Sequence, residues 1–245
     1  MKKIKSQVNI TKVEVIDFSA RVHGNYLFEK ISTVFEAGNV ILLYGPRGSG
    51  KSAFLRSFAK LNEEIYPEIS YSGNIMFDGK DLQNFKEQEL RQLVTYLDTN
   101  YLESLDYLTL REIMHLVFGK SFKFSVEEYA STLDEFGVLK ALYKFERTPL
   151  SSLYVLEKIG LLLFISSLKL SSLLIFDCIL DHLDDEHVEK VTNMLKSMAK
   201  NGKIVVIATR TLKRFLALAD TLNVMNCGRF VYSGRPDKFI LEGSS

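Results

Sequence analysis

Charge imbalance is the first thing the 245-residue sequence lacks: 31 basic side chains stand against 30 acidic ones, a net charge of +1. Binding a phosphate backbone needs a concentrated basic surface, so no nucleic-acid partner is expected. Cysteine is nearly missing as well. Cys178 and Cys227 are the two present, without metal-ligand spacing, which points to a reducing, cytosolic setting. There are four prolines, no low-complexity linker and no internal repeat. The basic start "MKKIK" has no apolar stretch behind it and is not expected to be a secretory signal. A membrane-spanning run is lacking too. Lys169 and four serines interrupt the most apolar window, Ile159 to Phe176, whereas a spanning helix needs about 20 predominantly apolar residues. That window reads as a buried helix, a short turn and a buried strand from about Leu173.

What is present is globular: 47% of residues are hydrophobic and 25% charged, in a length that fits one large domain or one domain with an insertion. "KVEVIDFS" (Lys12 to Ser19) alternates like a half-exposed strand. "NVILLYG" (Asn39 to Gly45) is a continuous apolar run, the pattern of a strand covered on both faces in a parallel sheet. A helix is expected from Lys51, with Phe54, Leu55, Phe58 and Leu61 on one side. Ser72 to Leu82 reads as a strand with glycine-containing turns at both ends, and about Leu108 to Lys169 as helical, including one helix over "SVEEYASTLDEFGV". Strands return in "LLIFD" (Leu173 to Asp177) and "KIVVIAT" (Lys203 to Thr209), with a helix between them. The close, "LNVMNCGRFVYSG", reads as a hairpin turning at Cys227-Gly228. Strand–helix alternation around one helical block predicts an α/β core with a helical insertion.

The strongest motif is "GPRGSGKS": Gly45, Pro46, Arg47, Gly48, Ser49, Gly50, Lys51 and Ser52 fit G-x-x-x-x-G-K-[ST] without exception. Its glycines let successive N–H groups turn toward phosphate oxygens. Lys51 is expected to reach the terminal phosphates and the Ser52 hydroxyl to bind Mg²⁺. The loop follows an apolar strand and opens a helix, the context the motif requires.

The residues around this loop resemble the nucleotide-binding subunits of ATP-binding cassette (ABC) transporters. "LFEKISTVFEAGNVILLYGPRGSGKSAFLRSF", "SGNIMFDGKDLQNFKEQELRQLVTYL", "LLIFDCILDHLD" and "ADTLNVMNCGRFVYSGRPDKFI" carry the resemblance over nearly the whole chain. "LNEEIYPEISYSGNIMFDGKDL" is similar to the phosphate-import branch. The resemblance implies a P-loop, RecA-like α/β core (about 1–98 and 172–245), an antiparallel β part and an α-helical subdomain (about 99–171). It implies ATP and Mg²⁺ as ligands, transmembrane permease subunits as partners, and a place on the inner face of the cell membrane. It also implies a head-to-tail pair of nucleotide-binding subunits, either a homodimer or a heterodimer, in which each ATP is shared with the partner's signature loop.

Within that pattern Asp177 stands at the Walker B carboxylate, a Mg²⁺ ligand opposite Ser52, and Asp184 closes the D-loop position. Four features depart from it. Cys178 replaces the catalytic glutamate, and a thiol with a pKa near 8.5 is mostly protonated and a poor base at neutral pH. The plainer reading of Cys178 is a small buried residue. Thr99 replaces the Q-loop glutamine, with Asp98 as a substitute holder of the metal's water. The signature glycine pair is missing whether "LSSLY" (Leu150 to Tyr154) or "LYVLEK" (Leu153 to Lys158) is aligned with it. Arg210 occupies the switch histidine position; it cannot exchange a proton at neutral pH, though it can grip a phosphate as a fixed charge. Arg21 and Val22 fall near the adenine-stacking position, with Phe18 and Tyr26 the nearest aromatic replacements.

The expected function is therefore an ABC-type subunit that binds MgATP and hydrolyses it weakly or not at all, paired with a competent homologue. The alternative is an ATP-dependent scaffold or regulator of the same fold without transport. An ordinary P-loop kinase or GTPase leaves the terminal hairpin unexplained.

Overall fold

The computed structural model describes residues 9–145, 149–169 and 171–242. The "MKKIK" segment lies outside them. In chain order come β1 (Lys12–Val22), β2 (Asn25–Glu36), β3 (Val40–Tyr44), α1 (Lys51–Ser57), α2 (Asn62–Ile65), β4 (Ser70–Phe77) and β5 (Lys80–Asp81). Then follow α3 (Glu87–Leu93), β6 (Val94–Asp98), α4 (Thr99–Ser104), α5 (Leu110–Phe118), α6 (Ala130–Glu135), α7 (Leu139–Phe145) and α8 (Val155–Lys169). The chain closes with β7 (Leu173–Asp177), α9 (Asp185–Lys200), β8 (Ile204–Thr209), α10 (Leu212–Phe215), β9 (Thr221–Asn226), β10 (Arg229–Gly234) and α11 (Pro236–Glu242).

Two sheets organise these elements. One has the order β10-β9-β3-β8-β7-β6, with β9, β3, β8, β7 and β6 parallel and β10 antiparallel at its edge. The other is antiparallel, in the order β2-β1-β4-β5. Continuous apolar runs make the parallel strands, because both faces of that sheet are covered. β7 and β8 are buried at every residue. Their alternation divides the interior in two. Leu42, Leu174, Phe176, Val205 and Ile207 face α8 and α9. Ile41, Leu43, Leu173, Ile175 and Val206 face α1 and the antiparallel sheet.

The spacing of Phe54, Leu55 and Phe58 makes α1 the wedge between the two sheets. All three are fully buried, and Leu61 is partly so. Phe54 meets Phe28 of β2 at 5.6 Å between ring centroids, and Phe58 meets Phe35 at 5.6 Å. Each such side chain contributes about 1.5–3 kcal/mol of burial. This packing fixes the axis of α1, and with it the loop at its head.

The helices between β6 and β7 form one block, with α8 at its centre. α8 is apolar all round and buried from Lys158 to Ser166, between its neighbours and the sheet. α5 is set by a capping box, Thr109 with Glu112, and ends at Gly119. The expected helix over 125–138 is shorter, reduced to α6. The Ser125 hydroxyl accepts from the Glu128 N–H and donates to Glu127, which holds a turn there, and Gly137 with φ 68° ends the helix. The expected strand over 72–82 is also corrected. It begins at Ser70, turns at Asp78-Gly79 into β5, and takes Gly73 inside itself, opposite a bulge in β1. The terminal hairpin turns at Cys227 (φ 46°) and Gly228 (φ 76°), as the sequence predicts.

Candidate functional site

The phosphate loop joins the end of β3 to the head of α1. Gly50, at φ 100°, adopts a backbone that L side chains rarely take, and a Cβ there would lie 2.6 Å from the Leu27 carbonyl oxygen. The loop is tied down by the Gly228 N–H, which donates to the Ser49 carbonyl at 2.9 Å. The Lys51 ammonium is 5% exposed and folds back on its own loop. It donates to the carbonyls of Gly45 (2.6 Å) and Pro46 (2.9 Å) and to Ser49 Oγ (3.2 Å). Burial lowers its pKa; the charges of Asp177 and Asp181 oppose that shift.

A cleft of about 660 Å³ opens beside this loop. Arg47, Gly48, Ser49, Gly50, Lys51 and Ser52 line it together with Asp177, Cys178 and Arg210, so residues far apart in sequence share one wall. Gly45 and Pro46 are not on that wall; their carbonyls hold Lys51.

Asp177 ends β7 and is 4% exposed. Its Oδ2 accepts from the Tyr96 hydroxyl at 2.6 Å, while its Oδ1 is buried without a hydrogen-bond partner. A buried carboxylate oxygen left this way calls for a cation or a donor. With Ser52 and the phosphate loop lining the same cleft, the donor set fits Mg²⁺ carried by a nucleoside triphosphate. Mg²⁺ in such sites takes one or two protein oxygens plus phosphates and water. Among the described residues no group of three or more His, Cys, Asp or Glu is placed to hold a metal ion.

The neighbouring position is chemically different. Cys178 has a left-handed backbone (φ 56°) and donates its N–H to the Ala208 carbonyl at 3.0 Å. Cys178 is half-buried: it packs against the core on one side and lines the cleft on the other. Burial first, and then the Asp177 charge, pushes its thiol up to about 12, so it is neutral at physiological pH.

Arg210 follows β8, exposed at the cleft, with its Nε 3.4 Å from Asp181 Oδ2. Asp181 also accepts from the Thr209 hydroxyl and from the Arg210 N–H at 3.0 Å. Asp98 also lines the cleft and is engaged on both oxygens. One oxygen caps α4 by accepting from the Tyr101 N–H at 2.8 Å, and the other lies 3.7 Å from Arg56. Thr99 is the first residue of α4 and lines the cleft. Asp184 caps α9, accepting from the His187 N–H at 2.9 Å.

The two segments aligned with the signature overlap at Leu153 and Tyr154 and differ in local structure. Leu150 to Ser152 form a 3₁₀ turn, whereas "LYVLEK" straddles the start of α8. There Tyr154 is 80% exposed, and its N–H donates to Glu157 at 2.8 Å. Of the aromatic candidates for the base, Phe18 is corrected: it lies in the core, stacked on Tyr71 at 5.4 Å. Tyr26 lines the cleft, with the Arg21 guanidinium 3.9 Å over its ring. Tyr96, Arg56 and Asp181 are absent from the sequence reading.

The sequence profile described as "ABC transporter" matches residues 28–178, from β2 through the phosphate loop to Cys178. The chain belongs to the ABC transporter family. It is 23% identical over 219 residues to the petrobactin import ATP-binding protein of Bacillus anthracis, covering 88% of this chain and 78% of that one. It is 25% identical over 228 residues to the phosphonates import ATP-binding protein of Treponema denticola, covering 87% and 85%. Among solved structures, cbiO1 from Clostridium perfringens, part of the ABC transporter complex cbiONQ, superposes with a TM-score of 0.73 at 22% identity, covering 96% and 92%. A bacterial Atm1-family ABC exporter with ATP bound gives a TM-score of 0.75 at 16% identity, over 96% of this chain and 41% of that one. These superpositions bear out the RecA-like P-loop fold of an ABC subunit, and ATP with Mg²⁺ is the ligand pair that the family's phosphate loop binds.

Proposed function

We propose that this ABC subunit holds MgATP and hydrolyses it weakly or not at all. Arg47 to Ser52 would take the phosphates, with Gly45 and Pro46 holding Lys51 from behind, and Ser52 and Asp177 would hold the metal; bound Mg²⁺ supplies charge neutralisation at the phosphates. One observation carries the second half of the reading: the cleft residue next to Asp177 is a cysteine, where hydrolysis needs a carboxylate base. Arg210, tied to Asp181, offers charge but no proton exchange. At the head of α8, exposed Tyr154 and Val155 stand where the family pattern has small residues that let backbone approach a partner's nucleotide.

The partners that fit this reading are transmembrane permease subunits and a second, competent nucleotide-binding subunit. A symmetric homodimer would carry the substitutions in both sites, so a heterodimer is favoured. Among the described residues no helix is long and apolar enough to cross a membrane, so we place the chain on the inner face of the cell membrane through its partners. The relatives named for petrobactin and phosphonates import support import of a small solute, with phosphate the candidate raised by the 61–82 segment.

ATP titration of the purified chain with Mg²⁺ and with EDTA, followed by identification of what co-purifies from native membranes, tests the proposal. The expected result is Mg²⁺-enhanced ATP binding and a co-purified permease. No response of ATP binding to Mg²⁺ contradicts the site assignment, and a complex without any permease contradicts the transport role.

A further inference from the structure

The two oxygens of Asp177 have different surroundings. Oδ2 takes the Tyr96 hydroxyl at 2.6 Å, and Oδ1 is buried without a partner in a residue that lines the cleft. β6 pairs with β7 in parallel register, Tyr96 opposite Ile175 and Asp98 opposite Asp177. Tyr96 and Asp177 are therefore diagonal neighbours on the same face of the sheet, a separation that a tyrosine can span. Arg56 of α1 completes the group, 3.7 Å from Asp98 and within the electrostatic reach of Tyr96 and Asp177. Tyr96 is the donor in this hydrogen bond and the Asp177 carboxylate the acceptor. A phenylalanine would fill the same space and supply no donor.

We infer that Tyr96 is a positioning residue for the metal: its hydroxyl pins Asp177 Oδ2 and so presents Oδ1 to the cation that arrives with ATP. The inference rests on the proposed metal role of Asp177. It gives β6 a part in the site that the family's motif letters do not assign. Groups that orient a metal ligand from behind typically change metal affinity 10–100-fold when removed.

Mn²⁺ binding to the ATP-loaded full-length chain, read by electron paramagnetic resonance, tests it. Tyr96→Phe is expected to weaken Mn²⁺ binding about tenfold while ATP affinity in EDTA stays at the wild-type value. Unchanged Mn²⁺ affinity in that variant overturns the inference. Wild-type protein that binds ATP but no Mn²⁺ would sink the Asp177 assignment itself, a different and recognisable failure. Should the phenylalanine variant not fold, 3-fluorotyrosine placed at position 96 retains the hydroxyl and the packing. Its ¹⁹F resonance is expected to shift when Mg²⁺ joins bound ATP and to stay in place with ATP in EDTA. A resonance that ignores Mg²⁺ overturns the inference as well.

Discussion

The two sides of the cleft differ in how much of their chemistry is in place. On one side the phosphate loop is complete, anchored to the terminal hairpin through Ser49, and faced by a buried carboxylate with one free oxygen. The remaining lining, Cys178, Thr99 and Arg210, occupies in the proposed reading the positions where a proton acceptor and γ-phosphate contacts are needed. Holding a nucleotide draws on preorganised backbone and fixed charge, whereas hydrolysis draws on a positioned base. The two demands rest on different residues of this cleft, so one can be altered without the other.

The largest expected effect breaks the intact side. Lys51→Ala removes a buried cation from the phosphate site, a change that costs about 2–5 kcal/mol in comparable buried charge contacts. ATP binding by equilibrium titration should become undetectable at concentrations that saturate the parent. Wild-type affinity in that variant would remove the loop from the site.

Next in size is a packing test. Phe54→Ala empties a fully buried position that touches Phe28, Phe58 and Phe230. It should lower unfolding free energy by about 3–5 kcal/mol, measured by urea denaturation, and loosen the loop that α1 carries. A loss below 1 kcal/mol would mean that α1 does not brace the loop.

Those two positions show what the sequence makes visible. The loop is legible because its letters are fixed by close contact with phosphate, and Phe54 because α1 repeats at helical spacing. β3, β7 and β8 are legible as continuous apolar runs. Phe18 was misplaced for a physical reason. Val13 and Val15 alternate inward, then Asp17 with φ 45° shifts the phase, so Phe18 also turns into the core. β2 gave no strand signal because its buried residues, Phe28, Ile31 and Phe35, are spaced by three and four around Lys30 at φ 49°. Tyr96 and Arg56 depend on β6 lying beside β7 and on α1 packing above them. Lateral strand order leaves no mark in a local pattern.

Smaller effects concern the positions around Cys178. Cys178→Glu restores one carboxylate, but Thr99, Arg210 and the head of α8 remain unchanged. A positioned base is worth about 10²–10⁴ in rate, and phosphate release by this variant should recover less than about tenfold of it. Full recovery would show that the other substitutions are compensated.

The mildest test concerns the thiol. With its pKa pushed up to about 12, Cys178 is protonated below that pH, and alkylation requires the thiolate. Labelling of Cys178 by iodoacetamide, followed by mass spectrometry, should rise about tenfold per pH unit from 8 to 11 without a plateau. A plateau near pH 8 would mark an activated thiol and a different chemistry at this position.

The central claim, nucleotide held without turnover, is tested most directly by one paired measurement on purified protein with ATP and Mg²⁺: bound ATP and released phosphate in the same sample. The account predicts stoichiometric, Mg²⁺-dependent ATP binding with phosphate release at or near the rate without protein. Brisk release, many turnovers per minute, that requires Mg²⁺ and disappears in Lys51→Ala would contradict it.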